Sequence, residues 1–115
     1  MTPSAPARGE VWLIDFSPTR GHEQAGLRPG IVISTTFFNQ GPAELMVVLP
    51  LTTTRRNIPM HVEVDPPEGG VRRSSFIMCE NIRSAARERL MERWGIVAPR
   101  TLAAVEDRLR ILLEL

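Results

Sequence analysis

The chain has 115 residues, of which 43% are hydrophobic and 23% are charged, so it has the size and composition of one folded domain. Its 14 basic residues, all of them arginine, nearly balance 13 acidic ones, and the net charge of +1 excludes a histone-like or polybasic membrane-binding protein. One cysteine and two widely separated histidines exclude an internally disulfide-bonded fold and a metal site built from a local motif.

The sequence carries no membrane or export signal that we can identify. No apolar run approaches the roughly 20 residues of a membrane span. The N-terminal residues also lack the basic start and apolar stretch of a signal peptide. We therefore expect a soluble, cytoplasmic protein with a disordered leader over residues 1–7, one domain over residues 8–115, and no metal or other cofactor.

Apolar and β-branched runs predict five short strands, which are Val11–Phe16, Gly30–Thr36, Leu45–Leu49, Met60–Asp65 and Ser75–Cys79. The fourth of these alternates between polar and apolar residues, which is typical of a half-exposed strand and predicts a solvated side chain at His61. Between the first two strands, residues 17–29 form a long polar stretch. Loops of this length in a small domain are usually functional or mobile.

The last third of the chain differs from the rest. Leu102, Val105, Leu109, Leu112 and Leu113 follow a helical spacing, and Pro99 suits the first turn of a helix. The segment Arg83–Arg93 fits either a short helix or a solvated strand. The whole pattern predicts an α+β fold, with about five mostly antiparallel strands curled into a small barrel and a C-terminal α-helix.

Three polar segments stand out as candidates for chemistry. The first is Gly21-His22-Glu23-Gln24 with Arg28-Pro29, in the long first loop. The second is Pro50-Leu51-Thr52-Thr53-Thr54, at the end of the third strand, and the third is Glu80-Asn81-Ile82-Arg83, after the fifth.

These residues resemble the MazF/PemK toxins, the endoribonuclease toxins of type II toxin–antitoxin systems. The resemblance rests on Arg8-Gly9-Glu10-Val11-Trp12, Phe16-Ser17-Pro18, Gly21-His22-Glu23-Gln24, Gly26-Leu27-Arg28-Pro29, Ile31-Val32-Ile33-Ser34, Pro50-Leu51-Thr52-Thr53 and Glu80-Asn81-Ile82-Arg83-Ser84. The chain is most similar to the Kid (PemK) branch, which also has His before the Glu-Gln pair. It differs from that branch at Met78, where Kid has arginine, and at Glu80 and Asn81, where Kid has Asp and Gln.

The resemblance implies an SH3-like barrel that acts as a homodimer, cleaves single-stranded RNA without a metal, and is blocked by a small acidic antitoxin. By position, Arg28 and Thr52 correspond to the principal catalytic pair, and Glu23 to a supporting catalytic residue. RNA-binding or supporting roles fall to His22, Gln24, Thr53, Arg55, Arg56, Glu80 and Arg83.

Metal-free cleavage can be argued from the chemistry of RNA itself. The ribose 2′-OH attacks its own phosphate and leaves a 2′,3′-cyclic phosphate and a 5′-OH, which requires a proton acceptor, a proton donor and a cation. The Arg28 guanidinium suits the phosphate, and the Thr52 hydroxyl can donate one more hydrogen bond. Arginine is a poor base, so we assign proton acceptance to Glu23 or His22, with Glu80 as a further candidate.

Simpler structural roles compete with these assignments. Glu23 and Arg28 could form an ion pair that only orders the loop, and Thr52–Thr54 could be an ordinary turn. The sequence favours an mRNA-cleaving toxin that inhibits translation and growth. The alternatives from other classes are a non-catalytic SH3-like binding module and a CcdB-like gyrase poison on the same barrel.

Overall fold

The structure is a computed structural model that describes residues 5–17 and 26–115. Seven strands and two α-helices form in this part of the chain: β1 Glu10–Asp15, β2 Leu27–Val32, α1 Thr36–Asn39, β3 Leu45–Thr52, β4 His61–Val64, β5 Ser75–Met78, β6 Arg83–Ala86, β7 Leu90–Ile96 and α2 Pro99–Leu113. The short 3-10 turn Glu68–Gly70 lies between β4 and β5, and the 3-10 turn Arg87–Arg89 lies between β6 and β7.

The strands form one antiparallel sheet in the order β4-β5-β3-β2-β1-β7, with β6 also paired to β3. The eight-residue strand β3 is the centre of this arrangement. It pairs with β2 along one edge, and along the other it pairs first with β6 and then, through Leu51 and Thr52, with β5. The sheet therefore divides at β3 into two parts, and together with α2 it forms the predicted barrel-like α+β fold with a C-terminal helix.

Both faces of the central strands are buried. Alternate residues of a strand point to opposite faces, and each face packs into its own apolar cluster. Leu49 and Leu51 belong to one apolar cluster, which also contains Ile31 and Ile77 and receives Val105 of α2. Met46 and Val48 point the other way, into a second cluster with Ile14, Val32, Ala85 and Leu90. Two cores explain why β1 and β3 are nearly continuous apolar runs rather than strict alternations of polar and apolar residues.

Helix α2 confirms the helical spacing of the last third, with Pro99 in its first turn. The side chain of its N-cap residue, Ala98, cannot cap it, and Glu68 of the first 3-10 turn supplies the missing acceptor. Glu68 Oε2 accepts hydrogen bonds from Ala98 N at 2.9 Å and from Thr101 Oγ1. A carboxylate at this end also offsets the positive end of the helix dipole. Among the described residues, no helix combines the length and apolar character required to cross a bilayer.

Several predicted boundaries were wrong. Strand β2 covers Leu27–Val32 rather than Gly30–Thr36, because antiparallel pairing to β1 starts at Asp15 opposite Leu27. Thr36 instead begins α1, whose N-cap Thr35 accepts a hydrogen bond from Phe38 N. The ambiguous segment Arg83–Arg93 consists of β6, a 3-10 turn and the start of β7.

The predicted leader over residues 1–7 is described only from residue 5. Pro6 is buried, and its carbonyl accepts a hydrogen bond from Asn39 Nδ2 at 2.8 Å. Ala7 N donates to Glu10 Oε1 at 2.8 Å. Ordered contacts thus begin before Arg8, and the domain boundary at residue 8 stays a prediction.

Glu10, the first residue of β1, links the residues before this strand to the neighbouring strand β7. It accepts hydrogen bonds from Ala7 N, Trp12 Nε1 and Arg93 Nε, the last at 2.7 Å. Burial by itself would raise the pKa of the Glu10 carboxyl, but these donors and the charge of Arg93 hold the pKa below its ordinary value. The ionised form of Glu10 therefore stabilises the fold.

We expect Glu10→Gln to lower the free energy of unfolding at pH 7 by about 1 kcal/mol, because the amide keeps an acceptor but loses the charge opposite Arg93. A depressed folded-state pKa gives stability that is present above the unfolded pKa and lost as the pH falls through the folded one. Urea unfolding from pH 7 down to pH 3 should therefore show the two proteins converging on the acid side. A constant difference across that range would contradict the charge-based explanation.

Candidate functional site

The strand register brings Arg28 and Thr52 to neighbouring positions. Arg28 lies on β2 and is exposed, and Thr52 is the last residue of β3. The β2–β3 pairs include Gly30 opposite Pro50, and the same register continued by two residues places Arg28 opposite Thr52. Directly opposed residues of an antiparallel pair share a face of the sheet, so the guanidinium and the hydroxyl start from the same side.

The Thr52 hydroxyl is already oriented by the backbone. Its Oγ1 accepts a hydrogen bond from Thr54 N at 3.2 Å, which turns the chain away from the sheet after β3. A hydroxyl that accepts in this way keeps its own proton as a donor. Thr52 is half-buried, whereas Thr53 and Arg56 are exposed in the turn that follows.

Arg55 folds back over the end of this strand. Its Nη2 donates to Glu63 Oε2 at 3.0 Å, and its guanidinium carbon lies 4.8 Å from the centre of the Phe76 ring. Phe76 is the β5 partner of Thr52, so Arg55 lies close to the end of β3. Its side chain remains 55% exposed, which leaves the guanidinium accessible to an anionic ligand.

His61 and Glu80 form a second polar pair beside this cluster. His61 Nε2 lies 3.0 Å from Glu80 Oε2, and the His61 side chain is only 4% exposed. The prediction of a solvated His61 was therefore wrong. The segment after β3 covers it, since Arg55, Asn57 and Ile58 line a small cavity of about 110 Å³ together with His61.

Arg83 and Phe16 form a third part of the site. The Arg83 guanidinium carbon lies 4.7 Å from the centre of the Phe16 ring, in the geometry of a cation–π contact. Both residues line a cavity of about 360 Å³ together with Asp15, Ser17 and Arg89. The predicted site did not contain Phe16 or Arg89. The place of Phe16 in the Phe16-Ser17-Pro18 motif is the signal that could have indicated it.

His22, Glu23 and Gln24 lie outside the described residues, within the segment 18–25. The two ends of that segment are held together, because Phe16 N donates to Gly26 O at 2.8 Å. Arg89 Nη1 fixes the first end by donating to Asp15 O at 3.1 Å and to Ser17 O at 2.6 Å. The described residues that flank this segment, Ser17 and Gly26, therefore lie beside the cavity that Phe16 and Arg83 line.

The chain matches the family model of the PemK-like, MazF-like toxins of type II toxin–antitoxin systems over residues 7–113. It belongs to this family. It is 32% identical over 109 residues to endoribonuclease EndoA of Bacillus subtilis (strain 168), a match that covers 94% of each chain.

Solved structures of the PemK/MazF family share the fold. MazF from Deinococcus radiodurans is 31% identical with a TM-score of 0.81, and the match covers 96% of this chain and 98% of that one. An endoribonuclease from a mycobacterial species, solved with its cognate antitoxin, is 28% identical with a TM-score of 0.80 and coverage of 96% and 97%. The agreement over nearly the full length confirms the fold class predicted from the sequence.

Within this PemK/MazF member, the predicted site residues that the structure describes lie in two places. Thr52, Arg55 and Glu80 gather where β3, β4 and β5 meet, with Arg28 next to Thr52 by register. Arg83 lies with Phe16 beside the ends of the first loop. Thr53 and Arg56 lie in the turn after β3, on the surface.

Proposed function

We propose that this chain is a sequence-specific endoribonuclease toxin that cleaves single-stranded mRNA without a metal. Its substrate and its effect on translation place it in the cytoplasm. Membership of the PemK/MazF family supports the activity. The observation that supports the assignment of residues is the β2–β3 register, which pairs Gly30 with Pro50 and, if continued by two residues, sets Arg28 opposite Thr52.

The proposed reaction is an internal transesterification. The ribose 2′-oxygen forms a bond to the adjacent phosphorus and gives its proton to a base, for which Glu23, His22 and Glu80 are the candidates. The bond from phosphorus to the 5′-oxygen of the next nucleotide breaks, and that oxygen takes up a proton. The products are a 2′,3′-cyclic phosphate and a free 5′-OH.

Arg28 and Thr52 stabilise charge in this step. The guanidinium of Arg28 forks two hydrogen bonds onto the non-bridging phosphate oxygens, whose negative charge grows as the phosphorane forms. The Thr52 hydroxyl donates a further bond to the same group. The exposed guanidinium of Arg55 and the surface residues Arg56 and Thr53 hold the flanking phosphates.

The proposed partners are a second copy of the chain and an acidic antitoxin. A relative with this fold was solved with its cognate antitoxin, and MazE–MazF complexes from Deinococcus radiodurans are 28% to 29% identical to this chain. The last turn of α2 exposes Ile111, Leu112 and Leu113, which are 63%, 40% and 50% accessible. An apolar surface of this kind is suited to contact with a second copy.

A cleavage assay in EDTA tests the activity. We expect discrete cuts in a defined single-stranded RNA, with a cyclic phosphate on one product and a 5′-OH on the other, and the same cuts from the surface control Arg100→Gln. Intact RNA under these conditions would contradict the proposal. Intact RNA together with inhibition of gyrase would instead support the gyrase-poison alternative.

A further inference from the structure

We infer that His61 is a positioning residue of the RNA-cleavage site, whose buried imidazole holds the Glu80 carboxylate toward the substrate. The inference rests on the proposed function. It starts from one contact, the 3.0 Å between His61 Nε2 and Glu80 Oε2. The imidazole side chain is 4% exposed, whereas the Glu80 side chain is 39% exposed, so the carboxylate and not the ring can touch RNA.

The sheet register places this pair next to Thr52. Thr52 lies opposite Phe76, and Phe76 lies opposite Glu63 on β4, so the three form one row across the sheet. His61 and Met78 form the next row on the same face. Cross-strand neighbours lie about 5 Å apart, and Glu80 follows Met78 by two residues. The carboxylate is therefore held beside the row that contains Thr52.

The hydrogen bonding fixes how the ring acts on the carboxylate. Among the side chains that the structure describes, His61 Nδ1 is one of three buried polar atoms without a hydrogen-bond partner. A neutral imidazole with its proton on Nε2 donates to Glu80 Oε2 and leaves a bare acceptor at Nδ1. The other tautomer would set two acceptors against each other and leave an unpaired buried donor. The Nε2 proton therefore anchors one carboxylate oxygen and leaves the second for the substrate.

Stability alone does not explain a histidine at this position. An unpaired buried polar atom is unfavourable, so an apolar ring of similar shape would suit the fold at least as well. The imidazole offers what phenylalanine does not, a donor aimed at an accessible carboxylate. In metal sites, removing the group that orients a ligand commonly changes activity by about 10- to 100-fold, and we expect an effect of the same order here.

The test is a double-variant comparison. We expect His61→Phe to keep the wild-type thermal unfolding midpoint or raise it, and to lower kcat about tenfold with little change in KM. Glu80→Gln should lower kcat by at least as much, and the double variant should be no slower than Glu80→Gln. Asp107→Asn, an exposed carboxyl change on α2, serves as the control.

A second variant separates positioning from packing. His61→Gln retains a side-chain N–H that can reach Glu80, and it should recover part of the activity that His61→Phe loses. Unchanged cleavage by His61→Phe would overturn the inference, as would losses that multiply in the double variant. If His61→Phe does not fold, a folded His61→Gln with reduced activity whose loss multiplies with that of Glu80→Gln would also overturn it. Failure of the wild-type chain to cleave RNA would overturn the proposed function, and this inference with it.

Discussion

Replacing Arg28 by alanine should reduce kcat/KM for RNA cleavage by about 100- to 1,000-fold, which is the usual effect of removing one preorganised donor to a transition-state oxyanion. The reason is its position: Arg28 is exposed on β2 and lies opposite Thr52 when the β2–β3 register is continued. The guanidinium carries a permanent charge and two parallel donors to the phosphate. Cleavage should be followed at several substrate concentrations, so that kcat and KM are separated.

Two further variants separate the geometry of the Arg28 guanidinium from its charge: Arg28→Lys and the control Arg100→Ala. Lysine retains the charge but not the forked geometry, so we expect a smaller loss of about tenfold. Arg100 is exposed on α2, and Arg100→Ala changes the net charge by the same amount as Arg28→Ala. We expect Arg100→Ala to leave the cleavage rate unchanged. Equal losses for Arg28→Ala and Arg100→Ala would reduce the role of Arg28 to general electrostatic attraction. Full activity of Arg28→Ala would remove it from the site.

Glu23→Gln and His22→Ala belong to the same series, because Arg28 does not serve as the base. If one of these variants loses activity, the residue that it replaces, Glu23 or His22, is the proton acceptor. Unchanged cleavage in both would leave Glu80 as the proton acceptor.

The second large effect concerns stability. Gly70→Ala should destabilise the fold by at least about 3 kcal/mol, because backbone strain and overpacking act together. Gly70 has φ +73°, a conformation that L-residues adopt at a cost, and an added Cβ would lie 2.1 Å from the carbonyl oxygen of Trp94. That carbonyl belongs to β7, which is held by its pairing with β1, so the backbone cannot simply move aside.

Gly9→Ala isolates the conformational part of this effect. Gly9 has φ +94°, but an added Cβ there would meet its nearest atom, Leu102 Cδ2, at an ordinary 3.6 Å. We expect a cost of about 1 to 2 kcal/mol from the positive φ alone. Urea unfolding of both variants measures the difference between their free energies of unfolding. If Gly70→Ala does not fold at all while Gly9→Ala folds, the larger destabilisation of Gly70→Ala is also confirmed. Equal stabilities would mean that the turn moves away from β7.

The sequence predicted individual elements well where the signal is local. The spacing of Leu102, Val105 and Leu109 with Pro99 defined α2, since helical periodicity and the first-turn preference of proline need no distant partner. Leu112 and Leu113 also lie in the helix, as their spacing predicted, but they are exposed because the sheet does not cover its last turn. Cys79, at the end of the predicted fifth strand, is buried, and burial raises the pKa of its thiol to about 11.

For the site, motifs in the sequence identified Arg28 and Thr52 as chemically suitable residues, but not as neighbours. Their adjacency depends on β2 beginning at Leu27, and that boundary is set by pairing with β1 rather than by the residues of the loop. Likewise, alternation along β4 correctly turned His61 away from Val62 and Val64, yet it could not show that Glu80 and the segment after β3 enclose it. Composition, periodicity and motif chemistry, together with the family resemblance, thus predicted which residues are candidates for the site and which elements carry them. Which of those residues meet was decided by the tertiary structure, because strand register and the path of the connecting segments arise from contacts between parts of the chain that lie far apart in sequence.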